Sequence, residues 1–278
     1  MPELPEVESA RAAIEGAALG RRITDVDDTD TYVCRPHAPG EIREALVGRT
    51  LTAANRQGKS IWCDTSGVNG SHTPGPELAI HLGMSGHILV TEPSGALTEG
   101  GDWLANERQR SYARNPKNPA WNRFRIAFAD GGELRLFDPR RLGRVRLDAN
   151  RTTLGPDAEQ ISLAEFRERL GRGTAAVKAR LLDQSVVAGV GNLLADETLW
   201  QARISPRRPA DELTSDELAH LRRALRTATR RARQRGGVHT GTLVGHRQRG
   251  GQCPRCGTEL DRATVGGRTT FWCPKEQL

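Results

Sequence analysis

The chain concentrates its chemistry in four short stretches. Near its carboxyl end, CPRCG and FWCPKEQL offer Cys253, Cys256 and Cys273, with Glu276 where a second pair of ligands would close. Two short loops that each present two ligands let tetrahedral Zn²⁺ take the place of a core, as in a zinc ribbon. A carboxylate can ligate zinc, so Glu276 is a candidate fourth ligand, with His239 and His246 as competitors. The bland alternative is a ribbon that folds with weak metal or none. An odd, clustered set of cysteines argues for metal over disulfides, and Cys34 and Cys63 stand apart from it.

The second stretch, AAVKARLLDQSVVAGVGNLLADETLW, reads as a helix, a glycine turn and a second helix starting near Asn192. Backbone N–H groups at that start would attract a phosphate, with the asparagine amide adding a donor. Ordinary helix packing with an asparagine N-cap is the competing reading. The third pairs FDPRRLGRVR with HLGMSG: Leu142 among four arginines, and Met84 in a glycine-bounded turn. Apolar side chains among cations suit insertion into a DNA base stack, although each alone is more often core or solvated surface. The fourth is the opening, MPELPEVE, which by local rules is only a helix start, with proline near the first turn and acids at the positive dipole end.

These residues need elements to hold them. PEVESARAAIEGAALG spaces Val7, Ala10, Ile14 and Ala18 as an amphipathic helix stopped by Gly20. From Arg22 to about Leu147 the pattern changes to short alternating runs such as SIWCDT, with FADGGELRL as a hairpin, so an antiparallel sandwich or barrel is expected. Thr91 to Ala120, rich in Gly, Pro and Asn, reads as an exposed loop. Beyond TLGPDAEQ the pattern is helical. Thr214 and Glu217 form a capping box there, ahead of a buried stripe of Leu218, Leu221, Leu225 and Ala228. The expected organisation is α+β and multidomain: 1–150 an N-terminal antiparallel β-sandwich flanked by helices, 151–237 a helical domain, and 238–278 a linker and zinc ribbon.

The formal charge of +7 favours a polyanionic partner such as nucleic acid. Only Lys59, Lys117, Lys178 and Lys275 are lysine, so a lysine inside a motif is informative here. No run of eighteen apolar residues occurs, and acids stand where a signal peptide would be basic; a soluble, intracellular protein with no membrane partner is expected.

Taken in order, PELPEVE, GKS, HLGMSG, DPRRLG, LLDQSVVAGVGN and CPRCG…GRTTFWCP resemble the formamidopyrimidine-DNA glycosylase and endonuclease VIII family over nearly the whole chain. The resemblance implies a bifunctional DNA glycosylase and abasic-site lyase of base excision repair, acting as a monomer in a bacterial cytoplasm, with the nucleoid. Its partner is double-stranded DNA containing oxidised bases or abasic sites, and its cofactor one structural Zn²⁺ per chain. By resemblance Pro2, exposed after loss of Met1, is the nucleophile that forms a Schiff base, followed by β,δ-elimination. Glu3 is the acid and base, Glu6 a supporting carboxylate and Lys59 a loop lysine at the lesion. The helical region becomes a helix-two-turns-helix motif, with phosphate contacts from Lys178, Asn192 and Arg268. Met84, Arg141 and Leu142 match the void-filling positions, with Arg141, or its neighbour Arg140, facing the orphaned base.

Two departures bear on this reading. The connection GVHTGTLVGHRQRGGQ is short where purine-specialised enzymes carry a cover loop, which favours the endonuclease VIII side and oxidised pyrimidines, and Glu276 replaces a fourth cysteine. The alternatives are an oxidised-purine enzyme, a damage-binding protein without turnover, and a basic zinc-ribbon adaptor that gives the first ten residues no role.

Overall fold

In the computed structural model, residues 2–70, 73–101 and 118–278 are described. The chain forms two compact units, one of Met1–Pro2 and Glu6–Arg151, the other of Glu3–Pro5 and Thr152–Leu278.

The first unit carries helices α1 (Leu4–Ala17, from Glu6 on) and α2 (Glu41–Leu46) and two antiparallel sheets. One sheet runs β1 (Ile23–Asp27), β7 (Asn122–Phe128), β8 (Glu133–Phe137), β5 (His87–Thr91), β6 (Leu97–Gly101). The other runs β2 (Leu51–Gln57), β3 (Ser60–Thr65), β4 (Leu78–His81), β9 (Arg144–Leu147). Burial alternates along β3 and β7, as a period of two demands of strands with one face inward. Ile88, Phe124 and Leu136 of the first sheet join Leu51, Ile61 and Val145 of the second and Val7, Ala10 and Ile14 of α1 in one apolar cluster. The expected sandwich and the FADGGELRL hairpin, now β7–β8, are therefore present. Cys34 and Cys63 belong to this core, and burial pushes both thiols up to about 12, which leaves them neutral packing groups.

The stretch expected to be loop from Thr91 to Ala120 is partly strand: β6 pairs with β5 from His87↔Gly101 to Thr91↔Leu97. LTEGG has one large apolar residue and so no strand signature. Its glycines serve contact instead, since a Cβ on Gly100 would lie 2.3 Å from the Ser9 carbonyl oxygen of α1. The remainder, 102–117, lies outside the described residues.

The second unit holds α3 (Leu163–Leu170), α4 (Val177–Leu182), α5 (Asn192–Ala202), α6 (Ser215–Arg235) and the hairpin β10 (Asp261–Val265)–β11 (Arg268–Trp272). The Thr214–Glu217 capping box forms on α6 as expected, and Ser162–Glu165 makes another on α3. Leu218, Leu221, Leu225 and Ala228 are buried with Val187, Leu194 and Leu199 in the unit's own core. No helix among the described residues is long and apolar enough to cross a membrane.

Candidate active site

The helix start at Asn192 does attract an anion, and the anion is the chain's own. Glu3 is buried, and its carboxylate accepts from the backbone N–H groups of Gly191 (3.0 Å), Leu193 (2.9 Å) and Leu194 (3.0 Å). Three unsatisfied donors and the positive end of α5 thus converge on one side chain. Gly191 has an ordinary φ of −119°, so backbone strain does not require glycine there; room does, because a Cβ would lie 2.3 Å from the Glu3 carboxyl carbon. The GVG turn reads as a phosphate cradle but functions in this structure as the seat of Glu3. Pro2 and Glu6 are also buried.

Lys178 departs from its expected place. Its side chain is 0% exposed, and Nζ lies 2.7 Å from Asn192 Oδ1, 2.6 Å from Thr270 Oγ1 and 2.6 Å from Asp196 Oδ1. An ammonium has three N–H groups, and three oxygens already surround it. Burial pulls its pKa down, with Asp196 opposing. Asn192 uses its Oδ1 on Lys178 and its Nδ2 on the Thr269 carbonyl at 3.1 Å. Asp196, which the sequence reading passed over, also accepts from Arg247 Nε at 2.8 Å and from the Phe271 N–H at 3.2 Å. Lys178, Asn192 and Asp196 therefore tie α4 and α5 to β11. Arg268 alone of the expected phosphate trio is exposed, as the first residue of β11 after a two-residue turn whose Gly266 and Gly267 both adopt positive φ.

Lys59 sits at the two-residue turn joining β2 to β3, where Gln57 pairs with Ser60. Glu8, given no role from sequence, accepts from Arg11 Nε at 3.0 Å and from Arg56 Nε at 2.8 Å, which anchors α1 to β2. Met84 is 40% exposed, Arg141 is exposed and Leu142 is half-buried.

The turns carrying these three side chains are built together. A Cβ on Gly83 would lie 2.4 Å from the Leu142 carbonyl carbon. Asp138, fully buried, accepts from the N–H groups of Arg140 (3.1 Å), Leu142 (2.7 Å) and Gly143 (2.7 Å) and from Ser85 Oγ (2.7 Å). One carboxylate thus pins HLGMSG to DPRRLG. The aspartate two residues before Arg140 was the available signal, because such residues commonly bond the backbone just ahead.

The thiols of Cys253, Cys256 and Cys273 lie within 4.8 Å of one another, with Cys256 and Cys273 at 3.4 Å. Sulfurs bound at ~2.3 Å to one tetrahedral zinc sit about 3.8 Å apart, so one structural zinc fits this trio. Trp200, Leu243, Leu260 and Phe271 pack around it. Glu276 corrects the expected ligand set: it lies outside the trio, its carboxylate 3.4 Å from Arg255 Nη1 and 3.6 Å from Arg203 Nε. A nearby pair of guanidiniums competes for the oxygens that zinc would need. His239 and His246 are likewise absent from the trio.

Three family models match in order: the formamidopyrimidine-DNA glycosylase N-terminal domain over residues 1–145, the H2TH domain of that glycosylase over 153–243, and the zinc finger found in FPG and IleRS over 250–275. A formamidopyrimidine-DNA glycosylase from Nocardioides sp. is 33% identical, covering 99% of this chain and 93% of the relative. One from Roseiflexus sp. is also 33% identical, covering 100% of both chains. The chain belongs to the formamidopyrimidine-DNA glycosylase family. It is a DNA-repair glycosylase, and its structure agrees with solved members. A complex of the Lactococcus lactis protein with abasic-site DNA matches at TM-score 0.75 and 25% identity over 99% of both chains. A complex of the same protein with DNA containing an oxidised pyrimidine matches at 0.76 and 26%, again over 99% of both. For a member of this family, sequence reasoning located the metal trio but missed Asp138, Asp196 and the occupant of the α5 start.

Proposed function

We propose that this glycosylase excises oxidised bases from double-stranded DNA and cleaves the abasic site with the secondary amine of Pro2, exposed once Met1 is removed. The observation that carries the reading is the seating of Glu3, the residue next to that amine, on three backbone N–H groups. A general acid and base must be held in place, and here three backbone N–H groups hold it. Attack by the amine on the sugar C1′ displaces the base and leaves an iminium. The neighbouring hydrogen becomes acidic, and β- then δ-elimination releases the strand, with Glu3 moving protons at the sugar ring oxygen. An N-terminal amine has a pKa near 8, so a useful neutral fraction exists at pH 7.

Glu6 supports that centre, Lys59 meets the DNA at the lesion, and Arg268 contacts a phosphate. Met84, Arg141 and Leu142 fill the void, with Arg141, or its neighbour Arg140, facing the orphaned base. The zinc is structural: Cys253, Cys256 and Cys273 would hold it, and it replaces a core beneath the Arg268 hairpin. Such a glycosylase must reach its DNA, and we place it in a bacterial cytoplasm with access to the nucleoid. Borohydride added to the protein with abasic-site DNA should trap a covalent complex. If no complex forms with protein whose mass confirms loss of Met1, the amine mechanism is wrong. A Pro2→Gly variant that binds but no longer cleaves rejects a purely damage-binding role.

For the base itself we favour oxidised pyrimidines. The segment from Gly236 to Gln252 is short and is tied down: the Leu243 N–H donates to Glu197 Oε2 at 2.8 Å, and Arg247 to Asp196. Little chain is left to fold over a flipped purine. The family name favours formamidopyrimidines instead. Oligonucleotides with an oxidised pyrimidine, a formamidopyrimidine or an oxidised purine, compared by single-turnover cleavage, decide between them.

A further inference from the structure

A structural zinc is normally closed by four protein ligands, whereas a site with three keeps a coordination position for a ligand from solution. Among the described residues no carboxylate or imidazole joins the thiols of Cys253, Cys256 and Cys273. Glu276 occupies the sequence position of a fourth ligand, and the fold holds it elsewhere. Its neighbour Gln277 is buried, with Oε1 accepting from the Cys273 N–H at 2.9 Å and Nε2 donating to the Ile204 carbonyl at 3.0 Å. The turn that carries Glu276 is thereby pinned at Cys273 and at Ile204. From it the carboxylate meets the guanidiniums of Arg255 and Arg203. Arg255 is itself fixed, since it lies 4.0 Å over the Trp200 ring and Nη1 donates to the Trp200 carbonyl at 3.2 Å. A carboxylate moving to the metal would leave both cations behind.

The sulfurs, in contrast, are already supported. Trp200 Nε1 donates to Cys253 Sγ at 3.4 Å, and Thr258 Oγ1 lies 3.3 Å from Cys256 Sγ. Cys253 and Cys273 are buried and Cys256 is half-buried, so solution reaches the trio past Cys256. A ligand arriving by that route must be small, and a thiolate-rich zinc site suits a further sulfur donor. We propose that the three cysteines leave one coordination position of the ribbon's zinc open to solution, where a small thiol binds. On binding, the thiol gives its proton to solvent and its sulfur takes the place of a water; no electrons are transferred. A metal held in this way exchanges faster than one closed by four protein thiolates. The proposal rests on the zinc assignment and is independent of the lesion and of the amine chemistry.

The test uses the full chain loaded with Co²⁺, which reports its ligands by absorption, the sulfur-to-metal charge-transfer band growing with each thiolate. The wild type should show the intensity of three thiolates and gain about a third when 2-mercaptoethanol is added. E276C, which supplies a protein thiolate at the fourth position, should show the higher intensity from the start and not respond. E276A, which removes the carboxylate and adds no ligand, should match the wild type. In the Zn²⁺ form, release of metal to a chromophoric chelator should be about 10–100-fold slower for E276C than for the wild type and E276A.

If E276A shifts the cobalt spectrum, Glu276 is a ligand and the position is closed. If the wild-type spectrum ignores the thiol, or the thiol strips the cobalt, the site accommodates no external sulfur. Each of these results overturns the proposal. A wild-type chain that takes up no metal overturns it together with the zinc assignment, and leaves borohydride trapping at Pro2 to be judged separately. Should E276C not fold, the thiol titration of the wild type and the E276A spectrum still decide.

Discussion

Two buried carboxylates, one in each unit, do the same physical work by different routes. Asp138 gathers the N–H groups of residues two, four and five positions ahead of it. Glu3 gathers those of residues 188 to 191 positions away. Each replaces water on several backbone donors and fixes a turn. Local collection, however, stabilises a loop whatever the rest of the chain does, whereas distant collection ties a functional group to the completed fold of its unit.

Breaking the distant member has the largest expected effect. Glu3→Gln should lower single-turnover cleavage about 10²–10⁴-fold, the range that general acid–base groups contribute. Gly191→Ala, which leaves every functional group in place but crowds Glu3 out, should lose about 10²-fold. A Gly191→Ala enzyme with wild-type rate would show that the seat is dispensable.

Next comes the Lys178 knot. Lys178→Met leaves Asp196 buried beside fewer cations and should cost about 3–5 kcal/mol in denaturant unfolding. The slope of log K against log salt should stay unchanged, while Arg268→Ala should reduce that slope by about one and cost little stability. If Lys178→Met instead lowers the slope, the lysine reaches phosphate after all.

The local member follows. Asp138→Asn turns an amide toward backbone donors and should cost about 2–3 kcal/mol, read as a lower denaturation midpoint with an unchanged m-value. Smallest is Glu8. Its pKa is lowered: burial opposes ionisation, but hydrogen bonds from Arg11 and Arg56 outweigh it. A carboxyl whose folded pKa falls below its unfolded value of 4.5 contributes stability above that pH and loses it as pH falls through the folded value. Glu8→Gln should therefore cost about 1 kcal/mol at pH 7, and the gap should close below about pH 4.5 in thermal melts. Separately, stripping the metal with a chelator should change the fluorescence of Trp200 and Trp272, both buried in or beside the ribbon core, and weaken DNA cleavage together with it.

The same division between local and distant explains what the sequence made legible. The Thr214–Glu217 box, the Leu218–Ala228 stripe and the β7–β8 hairpin are settled by residues within a few positions of one another, and all appeared where expected. The helix start at Asn192 was placed correctly, yet its occupant could not be read, because Glu3 lies 188 residues upstream of its nearest donor. The resemblance gave Lys178 a phosphate contact, and nothing near it in sequence announces other partners; Asp196 and Thr270 arrive only through folding. β6 was missed because Gly100 is specified by a helix packed on it. Glu276 was a reasonable ligand by position and was drawn off by Arg203 and Arg255, one of them 73 residues away.

On the void-filling role proposed for Met84 and Leu142, the shared anchoring of their turns bears on how quickly damage is found. A probe made of two independently moving loops would have to order itself at every base pair it tested, and that ordering would slow each trial. With Gly83 in contact with the Leu142 backbone and Asp138 clamping both turns, the protruding side chains arrive already in formation. The pace of inspection is then governed by how readily each step of the duplex unstacks, and a weakened step announces itself by yielding first.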